Sequence, residues 1–161
     1  MGHDATDDDA TDHDAIGDST DDEATDHEAI RATLAAYCQR LDDGRFDEWV
    51  ELFTPDVAFS VMGRVERGRD AVRAFVEPVQ QAGDRGRHLL SEPLIALDGV
   101  TATVTTDFCF LAQNLAVTSA GRYHDQLVRE AGRWRIAARE IVFLGDTPRG
   151  IPGRGDAPRV P

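Results

Sequence analysis

The sequence predicts an α+β fold, in which three N-terminal helices precede a mostly antiparallel sheet of long strands. Three segments before residue 81 carry apolar residues at helical spacing, whereas after Gly83 they fall into long strand-like runs. Two of the three connections between those runs are short and contain glycine, which favours antiparallel hairpins. Strongly curved, such a sheet wraps helices on one face and leaves a cone-shaped pocket.

Thr25-x-x-Glu28 is a capping box that opens the first helix. Ile30, Leu34, Tyr37 and Leu41 follow as one helical stripe, and Gly44 ends it. A second, short helix carries Phe46, Trp49, Val50 and Phe53 and stops before Pro55. Val57 to Met62 reads as a strand that turns at Gly63 into a partner over 64–67. The third helix is predicted over 70–81, with Val72, Phe75, Val76 and Val79 on its apolar side. Four long strands complete the body, over 87–97, 100–113, 119–130 and 133–144. Asp98-Gly99, a looser turn near Ala116, and Ala131-Gly132 connect them.

Residues 1–24 are low in complexity, built from Asp, Ala, Thr and His, with ATDHDAI at 10–16 returning as ATDHEAI at 24–30. The first copy cannot bury enough apolar surface to offset its chain entropy, so an acidic, disordered tail is expected there. His3, His13 and His27 stand among its carboxylates, but their spacing fixes no metal geometry. One domain is placed over 25–145, because 161 residues fill one core and not two. Residues 146–161 read as an irregular tail rich in Pro, Gly and Arg, and chance explains its Arg154-Gly155-Asp156 tripeptide.

The net charge of −13 is uneven. Residues 1–28 hold twelve of the thirty acidic groups and no arginine; the other eighteen face seventeen arginines. A nearly neutral body without a basic stripe argues against nucleic-acid binding. All seventeen basic residues are arginine, which excludes lysine Schiff-base chemistry and a Walker-type phosphate loop. Cys38 and Cys109 lie far apart and read as free thiols. No apolar run approaches a membrane span or a signal peptide, so a soluble cytoplasmic protein is expected.

The chemistry is expected from LDDGRFDEWVELFTPDV at 41–57 and His88. Asp42 lies at a helix C-terminus, where the dipole disfavours negative charge, while the adjoining Asp43 reads as solvent-facing. His88 alternates with Leu90 and Leu94 in an apolar strand. A carboxylate and a histidine on separate rigid elements can form a general base in an apolar pocket. The alternatives are a structural histidine and a loop carboxylate. Tyr37 is either core or pocket, and five helical residues rotate about 140°, so it shares a pocket with Asp42 only if the helix loosens near Leu41. Asp107 needs a partner or a cavity-lining position. Tyr123 and His124 face opposite ways, and Tyr123 is preferred for the inner face. Trp49, Phe53, Phe59, Met62, Phe75 and Phe110 are the candidate cavity wall.

The phrases YCQRLDDGRFDEWVELFTPDVAF at 37–59, GRDAVRAF at 68–75, RHLLSEPLIALDG at 87–99 and GRYHDQLVREAGRWRIAAREI at 121–141 resemble the nuclear transport factor 2-like superfamily, in its SnoaL-like branch. The resemblance implies a cone-shaped α+β barrel, its curved sheet wrapped around the three helices, with a deep apolar cavity. It also implies assembly as a homodimer or higher homo-oligomer. Scytalone dehydratase and bile acid 7α-dehydratase in this superfamily use an Asp–His pair with pocket tyrosines. By that resemblance Tyr37 and Asp42 match the tyrosine and aspartate of the first helix, and His88 the histidine of the first long strand. Asp107 falls near a second polar pocket residue.

The expected function is a cofactor-independent, metal-free lyase or isomerase of dehydratase type. It would abstract a proton next to a carbonyl in a hydrophobic polyketide, steroid or terpenoid-type substrate. Polyketide cyclase, non-catalytic small-molecule binder and small subunit of a ring-hydroxylating dioxygenase are the alternatives, since a fold does not fix a reaction.

Overall fold

The structure, a computed structural model, describes residues 15–147, 149 and 150, with side chains from residue 22 onward. The segment 1–14 with His3 and His13, and the terminus with Arg154-Gly155-Asp156, lie outside the described residues.

Helix α1 (Ala15–Asp42) begins well before the expected capping box, so Thr25 and Glu28 lie in its interior and residues 15–24, expected to be disordered, are helical. Extending a helix from a packed nucleus costs little per residue, no proline interrupts this one, and acidic residues near its N-terminus complement the dipole. Ile30, Leu34, Tyr37, Cys38 and Leu41 supply that nucleus, all buried. Asp26 ties the same helix to the sheet by accepting from Trp134 Nε1 at 2.8 Å and Arg129 at 2.9 Å. The helix stays regular through Asp42 and ends in a Schellman turn. Arg45 N–H donates to Arg40 O and Gly44 N–H to Leu41 O, with Gly44 at φ 72.

Helix α2 (Phe46–Val50) is shorter than predicted, and Phe53 opens strand β1 (Phe53–Val61) instead of closing the helix. Met62 (φ 52) and Gly63 (φ 83) form the tight turn into β2 (Arg64–Arg67), the positive φ values that a two-residue hairpin demands. Helix α3 (Arg69–Val76) gives way to a 3-10 turn at Glu77–Val79 rather than running to 81. Pro78 is the cause, since it lacks an N–H and its ring clashes with the preceding turn. Val79 consequently stands exposed, off the apolar face expected of it.

The predicted strand 87–97 is two strands, β3 (Arg87–Leu90) and β4 (Leu94–Asp98), interrupted at Pro93. Both pair with β5 (Thr101–Leu111), and Ser91 bridges the break: its N–H donates to Asp107 O and its Oγ accepts from Asp107 N–H. Strands β6 (Val117–Glu130) and β7 (Arg133–Phe143) complete the sheet. Its order is β2-β1-β7-β6-β5-β3, antiparallel except where β1 runs parallel to β7. This open, curved sheet packs its inner face on the helices, with α1 against β3 and β7 and α3 against β1 and β2. Strand alternation fixes that face: Ala102, Val104, Thr106 and Phe108 on β5 and Tyr123, Asp125 and Leu127 on β6 are buried.

Candidate functional site

The Schellman turn leaves Asp42 as the last helical residue, aimed at the start of β3. Its carboxylate grips one residue twice. Oδ2 accepts the His88 backbone N–H at 2.8 Å, and Oδ1 meets His88 Nδ1 at 2.6 Å. These two contacts offset the unfavourable helix dipole and a side chain that is only 2% exposed. A carboxylate accepts, so Nδ1 carries the hydrogen, and in the neutral ring Nε2 presents its lone pair. The imidazole is 11% exposed, with the ring of Phe110 at 4.8 Å and that of Phe108 at 6.4 Å. A fixed tautomer with an unprotonated nitrogen in an aromatic setting is a competent proton acceptor. Asp43 is exposed and faces Arg87, as its neighbour's burial requires.

Tyr37 does not join this pair. The helix does not loosen before Asp42, so Tyr37 turns toward the centre of the cone, where it meets Trp49, Phe53 and Tyr123 at 5.5, 6.0 and 6.0 Å. Arg139 lies against both Tyr37 and Tyr123, its ζ-carbon 3.9 and 4.2 Å from the two ring centres. Arg139 is fully buried and donates through Nε and Nη2 to both oxygens of Asp125, at 2.7 and 2.6 Å. Burial pushes the Tyr37 phenol up to about 12 against the opposing charge of Arg139, and burial likewise holds Tyr123 well above the ordinary phenol range. Both keep their protons and remain donors. Burial also pushes the Cys38 thiol up to about 12, so it is inert core.

This second cluster was missed in the sequence, although a signal existed. If Tyr123 faces inward, period two places Asp125 and Leu127 there as well, and a carboxylate in that position requires a partner. Arg139, set among Ile136, Ala137, Ala138 and Ile141, is that partner.

Other candidates are moved elsewhere. Asp107 is on the outer face, paired with Arg122 at 2.6 Å and half exposed, because it alternates against the buried Thr106 and Phe108. Met62 stands in the β1–β2 turn and is 69% exposed, and it borders a small surface pocket with Glu140 and Arg149 instead of the His88 site. Phe75 is half-buried under the guanidinium of Arg64, at 4.7 Å. Trp49, Phe53 and Phe59 are buried, and the Phe53 ring meets Trp49 and Phe59 edge-on at 4.9 and 6.2 Å. Phe110 does flank His88, and Phe108, not singled out before, joins it to Tyr123 by stacking at 4.4 Å and 9°. Tyr123 is buried while His124, on the opposite face, is not.

The SnoaL-like domain family matches residues 22–140. A Mycobacterium tuberculosis protein of unknown function is similar over 86% of this chain and 84% of its own, at 30% identity and a TM-score of 0.71. A Novosphingobium aromaticivorans protein named as a candidate scytalone dehydratase is 24% identical, over 85% of this chain and 99% of its own, with a TM-score of 0.70. A nuclear transport factor 2-like protein with a cystatin-like fold, from the same organism, reaches a TM-score of 0.75 at 21% identity, over 85% and 94% of the two chains. No curated protein matches the sequence. Among the described residues, no helix is long and apolar enough to cross a membrane.

Proposed function

We propose that this chain, which belongs to the SnoaL-like domain family, is a lyase or isomerase that removes a proton next to a carbonyl in a hydrophobic small molecule. The observation that carries the proposal is the two-point grip of Asp42 on His88, which leaves Nε2 as a base beside Phe108 and Phe110. In the reaction the α-carbon to hydrogen bond breaks, the proton moves to Nε2, and the electron pair passes to the carbonyl oxygen. Asp42 stabilises the imidazolium that forms. Tyr123, linked to His88 through Phe108, is the phenol that donates to the developing enolate. With a β-hydroxyl on the substrate, the protonated His88 returns its proton to the departing oxygen, which is a dehydration. Homodimeric assembly belongs to the same reading, supported by exposed Leu89 and Leu94 on the outer sheet face. Light scattering checks it.

The test is exchange of the α-protons of 2-tetralone in deuterated water, followed by NMR. His88→Gln is expected to lower the rate about 10²–10⁴-fold, the span of one positioned base. A rate that survives this substitution, or a wild-type protein no faster than buffer, favours a non-catalytic binder.

A further inference from the structure

Replacing a buried ion pair with apolar side chains is often neutral or stabilising, so the fold alone does not account for Arg139 and Asp125 at the centre of this core. Asp125 occupies the Nε–Nη2 edge of the guanidinium, and two phenol rings lie against it. The remaining nitrogen, Nη1, is buried without a hydrogen-bond partner. Trp49 Nε1 and Thr106 Oγ1 are buried and unpartnered as well. Trp49 packs on Tyr37, and Thr106 is the cross-strand partner of Tyr123. Three unpaired polar atoms therefore surround one tyrosine pair, and two of them are obligate donors. Buried donors of this kind require an acceptor.

We propose that the corner formed by Tyr37, Tyr123 and Arg139 is a second binding subsite, in which Arg139 Nη1 and Trp49 Nε1 hold an uncharged oxygen of the substrate remote from its reacting carbon. This rests on the reading of His88 as the base. An aromatic wall joins the two places: Arg139 lies against Tyr123, Tyr123 stacks on Phe108, and Phe108 neighbours His88. Tyr123 and Phe108 stand in line between guanidinium and imidazole, so the oxygen at Arg139 is assigned as one other than the reacting carbonyl. Formal charge sets its kind. With a neutral imidazole, Arg139, Asp125 and Asp42 already sum to one net negative charge. A ligand carboxylate would add a second in a dry interior, whereas a ketone or hydroxyl adds none.

Binding of 2-tetralone, 6-hydroxy-2-tetralone and 6-carboxy-2-tetralone, measured by quenching of protein fluorescence, tests the subsite. The 6-hydroxy compound is expected to bind at least about tenfold more tightly than 2-tetralone, the effect of one charge-assisted hydrogen bond, and the carboxylate more weakly than either. In the paired variant Arg139→Leu with Asp125→Leu the preference disappears while 2-tetralone still binds. Arg139→Lys, which keeps the charge without the planar edge, abolishes it too and serves if the paired variant fails to fold. His88→Gln keeps the preference while losing proton exchange, which separates this subsite from the catalytic reading. No preference in the wild type, a preference that survives both Arg139 variants, or an ordered water alone on Nη1 in a complex with the 6-hydroxy ketone overturns the proposal.

Discussion

Among the described residues, two carboxylates are almost wholly buried beside a nitrogen-bearing side chain, in two different settings. Asp42 holds an imidazole that is 11% exposed, whereas Asp125 holds a guanidinium with no exposure at all. At the partly exposed pair, both oxygens of Asp42 contact one residue, through its backbone N–H and its Nδ1. In the interior, Asp125 saturates one edge of an always-charged cation and two aromatic rings lie against it. A base must exchange its proton and so needs access. A fixed cation needs only enclosure to orient a dipole. The third pair, Asp107 with Arg122, has the same chemistry in water, where Arg122 holds the Asp107 carboxyl below its usual range without anchoring the fold.

The largest expected effect comes from breaking the interior pair alone. Arg139→Leu leaves Asp125 buried and unpaired and is expected to cost about 3–5 kcal/mol in denaturant unfolding, most of it recovered by adding Asp125→Leu. Failure of the second substitution to recover stability would show that the pair is held by more than mutual neutralisation. Next comes Asp42→Ala, which strands the His88 backbone N–H and frees the ring. A loss of about 2–3 kcal/mol is expected, and it should appear in thermal melts together with lost proton exchange.

Alkaline titration separates buried acids from exposed ones. The Cys38 thiol moves from 9.0 to about 12 on folding, so the unfolded chain releases its proton first and stability falls as pH rises from about 9 to about 12. Cys38→Ala is expected to delay the onset of that fall, leaving the phenol of Tyr37, which titrates between 10.0 and about 12 by the same sign. Circular dichroism against pH reads it. The smallest effect is at the surface: Asp107→Asn should leave the unfolding midpoint and the 2-tetralone rate unchanged, because its partner is solvated. A measurable loss of rate there would return Asp107 to the site.

Local periodicity and glycine punctuation made the α+β order and the turns legible, and phrases at fixed spacing singled out Asp42 and His88, which the fold brings into contact. The local pattern misled where an extra constraint acted through a single residue, as Pro78 did in α3 and Pro93 between β3 and β4. Packing across the sheet, and no local pattern, set Tyr37 beside Arg139 instead of His88 and chose Arg139 as the partner of the inward Asp125. Those outcomes depend on which strand lies opposite which, and on how far a helix has turned when it meets the sheet. Neither quantity is local, so no window of residues contains it.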